Sequence, residues 1–361
     1  MIPIALSGCS TTSPNSAPAK QGSAPKSAAY VLGADHDCIV AGSAHPTIDW
    51  SDLQNPILST PDAGEKDQVM VWFGNRWHMI FSYVRNDPSV PGGVYWDIAT
   101  SSSPDMVTWT QPDPWPAQSG ALGVAGPQLV QNPQGDFVVT YQSDPGQRNG
   151  DQDRLYYRTT DDFVKWSAPH PLAQSLATAP GDRMIDGSLA WTANGLILGY
   201  KAGLEGSQQA FEIAWSPNGS LEGPWQYIGK PDIVVNGDTV ERYEFLNIEG
   251  AWHLMATSNL LDQPWLFKLS GNPDKASGWL KWTGGYELAV PKAGWDSGAG
   301  ISSVTYEWAN ASFLCNASTT DGYYYLLYAG SDELSQFGGW GHAEIGIARS
   351  RNLVDWQVPP G

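Results

Sequence analysis

The chain has 361 residues, with 37 Asp or Glu against 19 Lys or Arg and a formal net charge of -18. Such a negative field argues against nucleic acid or an anionic membrane surface as partner, and no apolar run approaches the roughly 20 residues that span a bilayer. A hydrophobic content of 41% argues against general disorder, while 39 Gly, 27 Pro, 18 Trp and 15 Tyr suit a turn-rich β protein.

The stretch Leu6-Ser7-Gly8-Cys9 resembles a bacterial lipobox. It makes residues 1–9 a signal remnant, Cys9 a lipid-anchor site, and the protein an exported one, in the cell envelope or secreted. No Lys or Arg precedes the short apolar segment, which a truncated start would explain. Residues 10–29 are rich in Ser, Pro, Ala and Thr without periodicity, the composition of a flexible tether. Cys38 and Cys315 lie near opposite ends of the remainder; one disulfide and two free thiols both remain open.

From residue 30 onward two marks repeat. The first is a Gly after a polar or turn residue and before an apolar strand: Gly74, Gly135, Gly195, Gly250 and Gly322, spaced 61, 60, 55 and 72 residues apart. Each is expected in a hairpin turn, where a positive φ is cheap for Gly. The second is a strand, a polar turn and then a Trp, giving Trp109, Trp166, Trp225, Trp282 and Trp356 at intervals of 57, 59, 57 and 74. Each period holds about four short strands, which is one propeller blade. Residues 30–361 are therefore read as a single all-β, five-bladed β-propeller catalytic domain, expected to be monomeric, with Tyr30–Val40 supplying a strand that closes the ring.

In a propeller the start of each blade's innermost strand lines a central funnel. Seven to nine residues before each hairpin Gly stand Asp67, Gly126, Asp186, Glu241 and Phe313. Three acids in a chain poor in charge, each opening an apolar strand, are costly without a purpose. Such a trio suits glycoside hydrolysis: one carboxylate activates water, one donates a proton to the leaving oxygen, and one tunes the donor. Glu244, three residues beyond Glu241, stays open as an alternative acid, although strand alternation sends it to the opposite face. Trp72, Trp191, Tyr243 and Trp295 are candidate sugar platforms. Arg183 and Arg242 are candidate substrate contacts or partners of the acids.

The five blades and these acids resemble glycoside hydrolase family 43 and the related arabinofuranosidase family 62. Lys66-Asp67-Gln68-Val69 followed by Trp77-His78 is similar to the blade 1 signature of family 62. Ile185-Asp186 is similar to the buried Asp segment of both, and Gly126-Pro127-Gln128-Leu129-Val130 to the second-blade segment of family 43. The resemblance implies Asp67 as general base, Asp186 as modulator and Glu241 as general acid, in an inverting reaction on arabinofuranosyl or related pentosyl linkages of a polysaccharide or oligosaccharide. The sequence departs at the acid, where Glu241-Arg242-Tyr243 replaces Glu-Gly-Pro, and in blade 5, where Ser302 and Ser303 occupy the region of the family 43 histidine. No organic cofactor is expected and a calcium ion is not indicated. Two other readings stay open: a non-catalytic carbohydrate-binding propeller, and a glycoside phosphorylase, which needs basic residues such as Arg183, Lys201 and Arg242 to hold phosphate.

Overall fold

The computed structural model describes residues 47–90, 92–118, 121–144, 153–177, 182–203, 210–231, 233–237, 239–258, 263–296, 312–316, 321–332 and 342–360, with Asp144 and 312–316 described as backbone alone. Cys9, the expected tether, Cys38 and the segment Tyr30–Val40 lie outside the described residues, as does the Cys315 side chain.

Twenty strands form five four-stranded antiparallel sheets, each a meander in chain order. Blade 1 comprises β1 (Ala63–Phe73), β2 (Arg76–Asn86), β3 (Val94–Ser103) and β4 (Asp113–Pro114). Blade 2 comprises β5 (Gly123–Gln131), β6 (Phe137–Asp144), β7 (Arg154–Thr160) and β8 (His170–Pro171). Blade 3 comprises β9 (Arg183–Thr192), β10 (Gly195–Gly203), β11 (Ala210–Ser216) and β12 (Gln226–Gly229). Blade 4 comprises β13 (Val240–Ile248), β14 (Ala251–Ser258), β15 (Pro264–Leu269) and β16 (Trp282–Glu287). Blade 5 comprises β17 (Ser312–Asn316), β18 (Tyr324–Gly330), β19 (Glu344–Ser350) and β20 (Trp356–Gln357). The chain is thus an all-β, five-bladed β-propeller. The described residues contain no α-helix, and none of their helical turns is long and apolar enough to cross a membrane.

The repeated marks have physical causes. Gly74 and Asn75 join β1 to β2, and Glu249 and Gly250 join β13 to β14, as two-residue turns with positive φ at both positions; such turns match the twist of the flanking strands. Gly195 differs from the expectation. It is the first residue of β10, and a Cβ there would run into the Trp215 indole and the Ser216 carbonyl. The tryptophans follow a Ser/Thr-x-Asp/Asn turn. Ser103 and Asp105 accept the amides of Met106 and Thr108 before Trp109, as Thr160 and Asp162 accept those of Phe163 and Lys165 before Trp166. The indole of Trp109 then donates back to the Met106 carbonyl at 3.1 Å.

Five clusters of buried side chains lie one at each seam between neighbouring blades. A blade is apolar on both faces, so it is stable when it has a blade on either side. The seam between blades 5 and 1 is stitched by residues just ahead of β1. The Ile57 amide donates to the Ile345 carbonyl, the Ile345 amide to the Leu58 carbonyl, and the Asn55 carboxamide bonds both backbone groups of Ile347 at 2.9 Å.

Candidate active site

Because every blade is a meander, the first residues of β1, β5, β9 and β13 sit at the end of the propeller opposite the β1–β2, β5–β6, β9–β10 and β13–β14 hairpins. Near that end each of the four ladders shifts register: between Lys66 and Val69, between Ala125 and Gln128, opposite Gly199 and Lys201, and between Glu241 and Glu244. The residue at each bulge is left-handed, Asp67 at φ 56, Gly126 at 65, Asp186 at 55 and Arg242 at 54. A left-handed conformation costs a residue with a Cβ roughly 1–2 kcal/mol, and a bulge re-aims side chains. At Gly126 a Cβ would lie 2.5 Å from Gln142 Oε1, which is why blade 2 carries no side chain there.

The bulges correct one expectation. Asp67 and Asp186 occupy equivalent positions, but in blade 4 that position belongs to Arg242, and Glu241 stands one residue earlier. Counting back from the hairpin glycine could not separate the two, because the distance to the bulge varies from blade to blade.

The three acids nevertheless meet. Asp186 is buried, and its pKa is raised first by that burial and then by the negative charge of Glu241, with Asp67 adding to the effect and Lys201 and Arg242 opposing it. Glu241 is a third exposed, and its Oε2 accepts from Lys201 Nζ at 2.8 Å. Asp67 Oδ2 accepts from the Ser82 hydroxyl, and its Oδ1 is 3.9 Å from Arg242 Nε. Arg242 is 1% exposed. Its Nη2 donates to the carbonyls of Asp67, at 2.8 Å, and Pro127, so one guanidinium ties blade 4 to blades 1 and 2. The Gln128 side chain bridges the same gap, donating to the Tyr243 carbonyl at 2.7 Å. Together these bonds floor the site.

Other candidates lie elsewhere. Tyr243 is fully buried against Phe211, with its hydroxyl on the Val240 carbonyl at 2.7 Å, and is no sugar platform. The bulge between Glu241 and Glu244 resets the alternation that would have kept Tyr243 on the face of Glu241. Trp72 and Trp191 each follow a bulge acid by five residues, roughly 16 Å along a strand. That places both beside hairpins, Trp72 packed edge-on to Trp77 and Trp191 donating to the Gly219 carbonyl. Trp295 is half-buried and stacked on Tyr328, at the seam of blades 4 and 5. Arg183 pairs with Asp153 across the tops of blades 2 and 3. Glu244 is half-buried, and the blade 4 acid whose charge acts on Asp186 is Glu241. A separate open groove between blades 3 and 4 at the hairpin end is lined by Asn194, Trp215, Tyr227, Asp274 and Lys275, and not by Asp67, Asp186 or Glu241. Among the described residues no group of three His, Cys, Asp or Glu side chains is arranged to hold a metal ion.

Sequence reasoning passed over Ser82 and Gln142 of the second strands and weighed Lys201 only as a phosphate contact. Ser82, Gln142 and Lys201 face the bulges of their own blades, as partners of Lys66, Ala125 and Ile185. A signal existed: each follows its hairpin Gly by six to eight residues and is polar within a buried strand.

Known structures share this architecture. No family model and no curated protein sequence matches the chain. Among solved structures, a member of the GH130 family of mannoside phosphorylases, described as containing glycoside hydrolases that target β-1,2 mannosidic linkages in Candida mannan, superposes with a TM-score of 0.56 at 10% identity, over 84% of this chain and 88% of that one. A GH62 hydrolase in complex with xylotriose gives 0.53 at 14% identity, over 82% and 95%. A Bombyx mori GH32 β-fructofuranosidase gives 0.55 at 14% identity, over 81% and 61%. The likeness is one of fold.

Proposed function

We propose that the protein is a glycoside hydrolase cleaving arabinofuranosyl or related pentosyl linkages with inversion at the anomeric carbon. One observation carries the reading: Asp67, Asp186 and Glu241, from three different blades, converge on one end of the propeller. There Arg242 Nε lies 3.9 Å from Asp67 Oδ1 and the Arg242 amide donates to Asp186 Oδ2 at 3.3 Å, while the adjoining Glu241 meets Lys201 at 2.8 Å. A lectin with shallow sites between blades has no use for such a trio. The fold shared with a GH62 hydrolase and other glycosidases supports it.

In this reading Asp67 takes a proton from water while the water oxygen bonds to the anomeric carbon. The bond to the leaving oxygen breaks on the other side of the ring, and Glu241 gives that oxygen its proton. Asp186, lacking solvent and facing Glu241, keeps the pair from carrying two negative charges freely. Hydrolysis is favoured over phosphorolysis because Arg183 is paired with Asp153 and Lys201 with Glu241, while Arg242 is 1% exposed, with Nη2 on backbone carbonyls beneath the site.

The test is hydrolysis of aryl arabinofuranosides, aryl xylosides and arabinan, with the product anomer followed by proton NMR. The expected first product has the inverted configuration, and Asp67→Asn and Glu241→Gln each lower kcat/KM by at least ~10³-fold. Full activity in both variants would sink the assignment of roles, and a retained anomer the mechanism.

A further inference from the structure

Hydrogen bonds from blades 1 and 2 to the blade that follows share a pattern from which blade 3 departs. The Ser82 hydroxyl of blade 1 accepts from the Gly126 amide of blade 2 at 2.9 Å. The Gln142 carboxamide of blade 2 accepts from the Asp186 amide of blade 3 at 3.1 Å. In both, a neutral side chain on the second strand caps the left-handed residue of the next blade. The equivalent pair at the following seam is Lys201 and the amide of Arg242. An ammonium has no acceptor atom, so the Arg242 amide turns to Asp186 Oδ2 at 3.3 Å instead. Lys201, released from the backbone, reaches Glu241 Oε2 at 2.8 Å.

Blade 2 shows that glutamine satisfies this position, so the repeat does not require a lysine. A lysine only 8% exposed is moreover expensive to desolvate. The charge is spent on the carboxylate it meets. We propose that Lys201 is the positioning residue of Glu241: it engages Oε2, fixes the orientation of the carboxyl group, and stabilises the carboxylate that remains once the proton has gone. This inference rests on the reading of Glu241 as general acid. The other charges in the neighbourhood are Asp186 from β9, Asp67 from β1, and Arg242 and Glu244 on β13 itself. The Tyr243 phenol feels both Asp186 and Glu241, but burial pushes its ionisation well above the ordinary range, so it adds no charge.

The experiment compares Lys201→Met, which keeps the packing of the aliphatic stem, with Lys201→Arg, which keeps the charge. Each full-length variant is assayed on two aryl glycosides of one sugar, one with an acidic phenol as leaving group and one with a weakly acidic phenol. In Lys201→Met, kcat on the weakly acidic phenol falls ~10²-fold while kcat on the acidic phenol, which needs little protonation, falls no more than about threefold. The high-pH limb on the weakly acidic phenol moves upward because the neighbouring positive charge is gone, and Lys201→Arg restores most of the wild-type profile. Equal losses on both leaving groups, or an unmoved limb, overturn the proposal. Should the wild type cleave neither glycoside, the hydrolase reading fails by itself. Carbon-13 titration of the Glu241 carboxyl, assigned by its loss in Glu241→Gln, then decides the coupling: an upward move in Lys201→Met supports it, and no move overturns it.

Discussion

Asp186 and Glu65 are both buried carboxyl groups near the start of a blade's first strand, and both have raised pKa values. Their surroundings differ. Asp186 sits among two other acids and two cations, so its charge state answers to neighbours that can change during a reaction. Glu65 lies in the seam of blades 1 and 5. Burial pushes its pKa to about 8, Thr60 offsets part of that, and the neighbouring charge acting on it is another acid, Glu344. A buried acid is therefore weak evidence for chemistry on its own. What distinguishes the two is compensation: the fold surrounds Asp186 with opposing charges and leaves Glu65 to hold its proton.

Three substitutions sharpen that contrast. The largest effect is expected from Asp186→Asn, which keeps shape and removes charge: kcat/KM falls ~10³-fold with a small change in melting temperature. Near wild-type turnover in this variant would make Asp186 another Glu65. Glu65→Gln acts on stability. Between about pH 4.5 and 8 the unfolded chain has released the Glu65 proton and the native state retains it, so the native state binds more protons and stability falls as pH rises, by about 1.4 kcal/mol per unit. Below that window both states are protonated and above it both are ionised. Urea unfolding at pH 5 and pH 8 should show this slope in the wild type and its flattening in Glu65→Gln, a gain of about 3 kcal/mol at pH 7, with turnover unchanged. A slope that survives the substitution belongs to other groups. The smallest effect tests the hairpin end: Trp72→Ala costs about 2 kcal/mol of stability from lost packing on Trp77, while KM stays within about twofold. A large rise in KM would return Trp72 to the sugar path.

The blade count was legible because it rests on local chemistry repeated five times. The Ser/Thr-x-Asp/Asn turns and the tryptophans that close them are needed wherever a meander turns its outer corner. The acids were legible as rare charges in apolar strands. What stayed hidden follows from the bulges. One extra residue per first strand shifts the face of everything beyond it, so Arg242 rather than Glu241 took the place that matches Asp67, Tyr243 went into the core, and Trp72 and Trp191 landed at the far end. Ser82 and Gln142 were missed, and Lys201 was weighed only as a phosphate contact, because their meaning lies between blades, in bonds that cross a seam. Residues 55–58 make the described contacts to blade 5, and the expected closing strand Tyr30–Val40 lies outside the described residues.

The guanidinium beneath the acids links the birth of the site to the completion of the ring. Arg242 finds its carbonyl acceptors on blades 1 and 2, 175 and 115 residues away in sequence from its own position. Until those blades are seated, a positive charge has no home and Asp67 has no neighbour on one flank. A chain caught with an open ring would hold three scattered acids and no centre. The seating of Arg242, and with it the flank of Asp67, therefore depends on blades 1, 2 and 4 being assembled together.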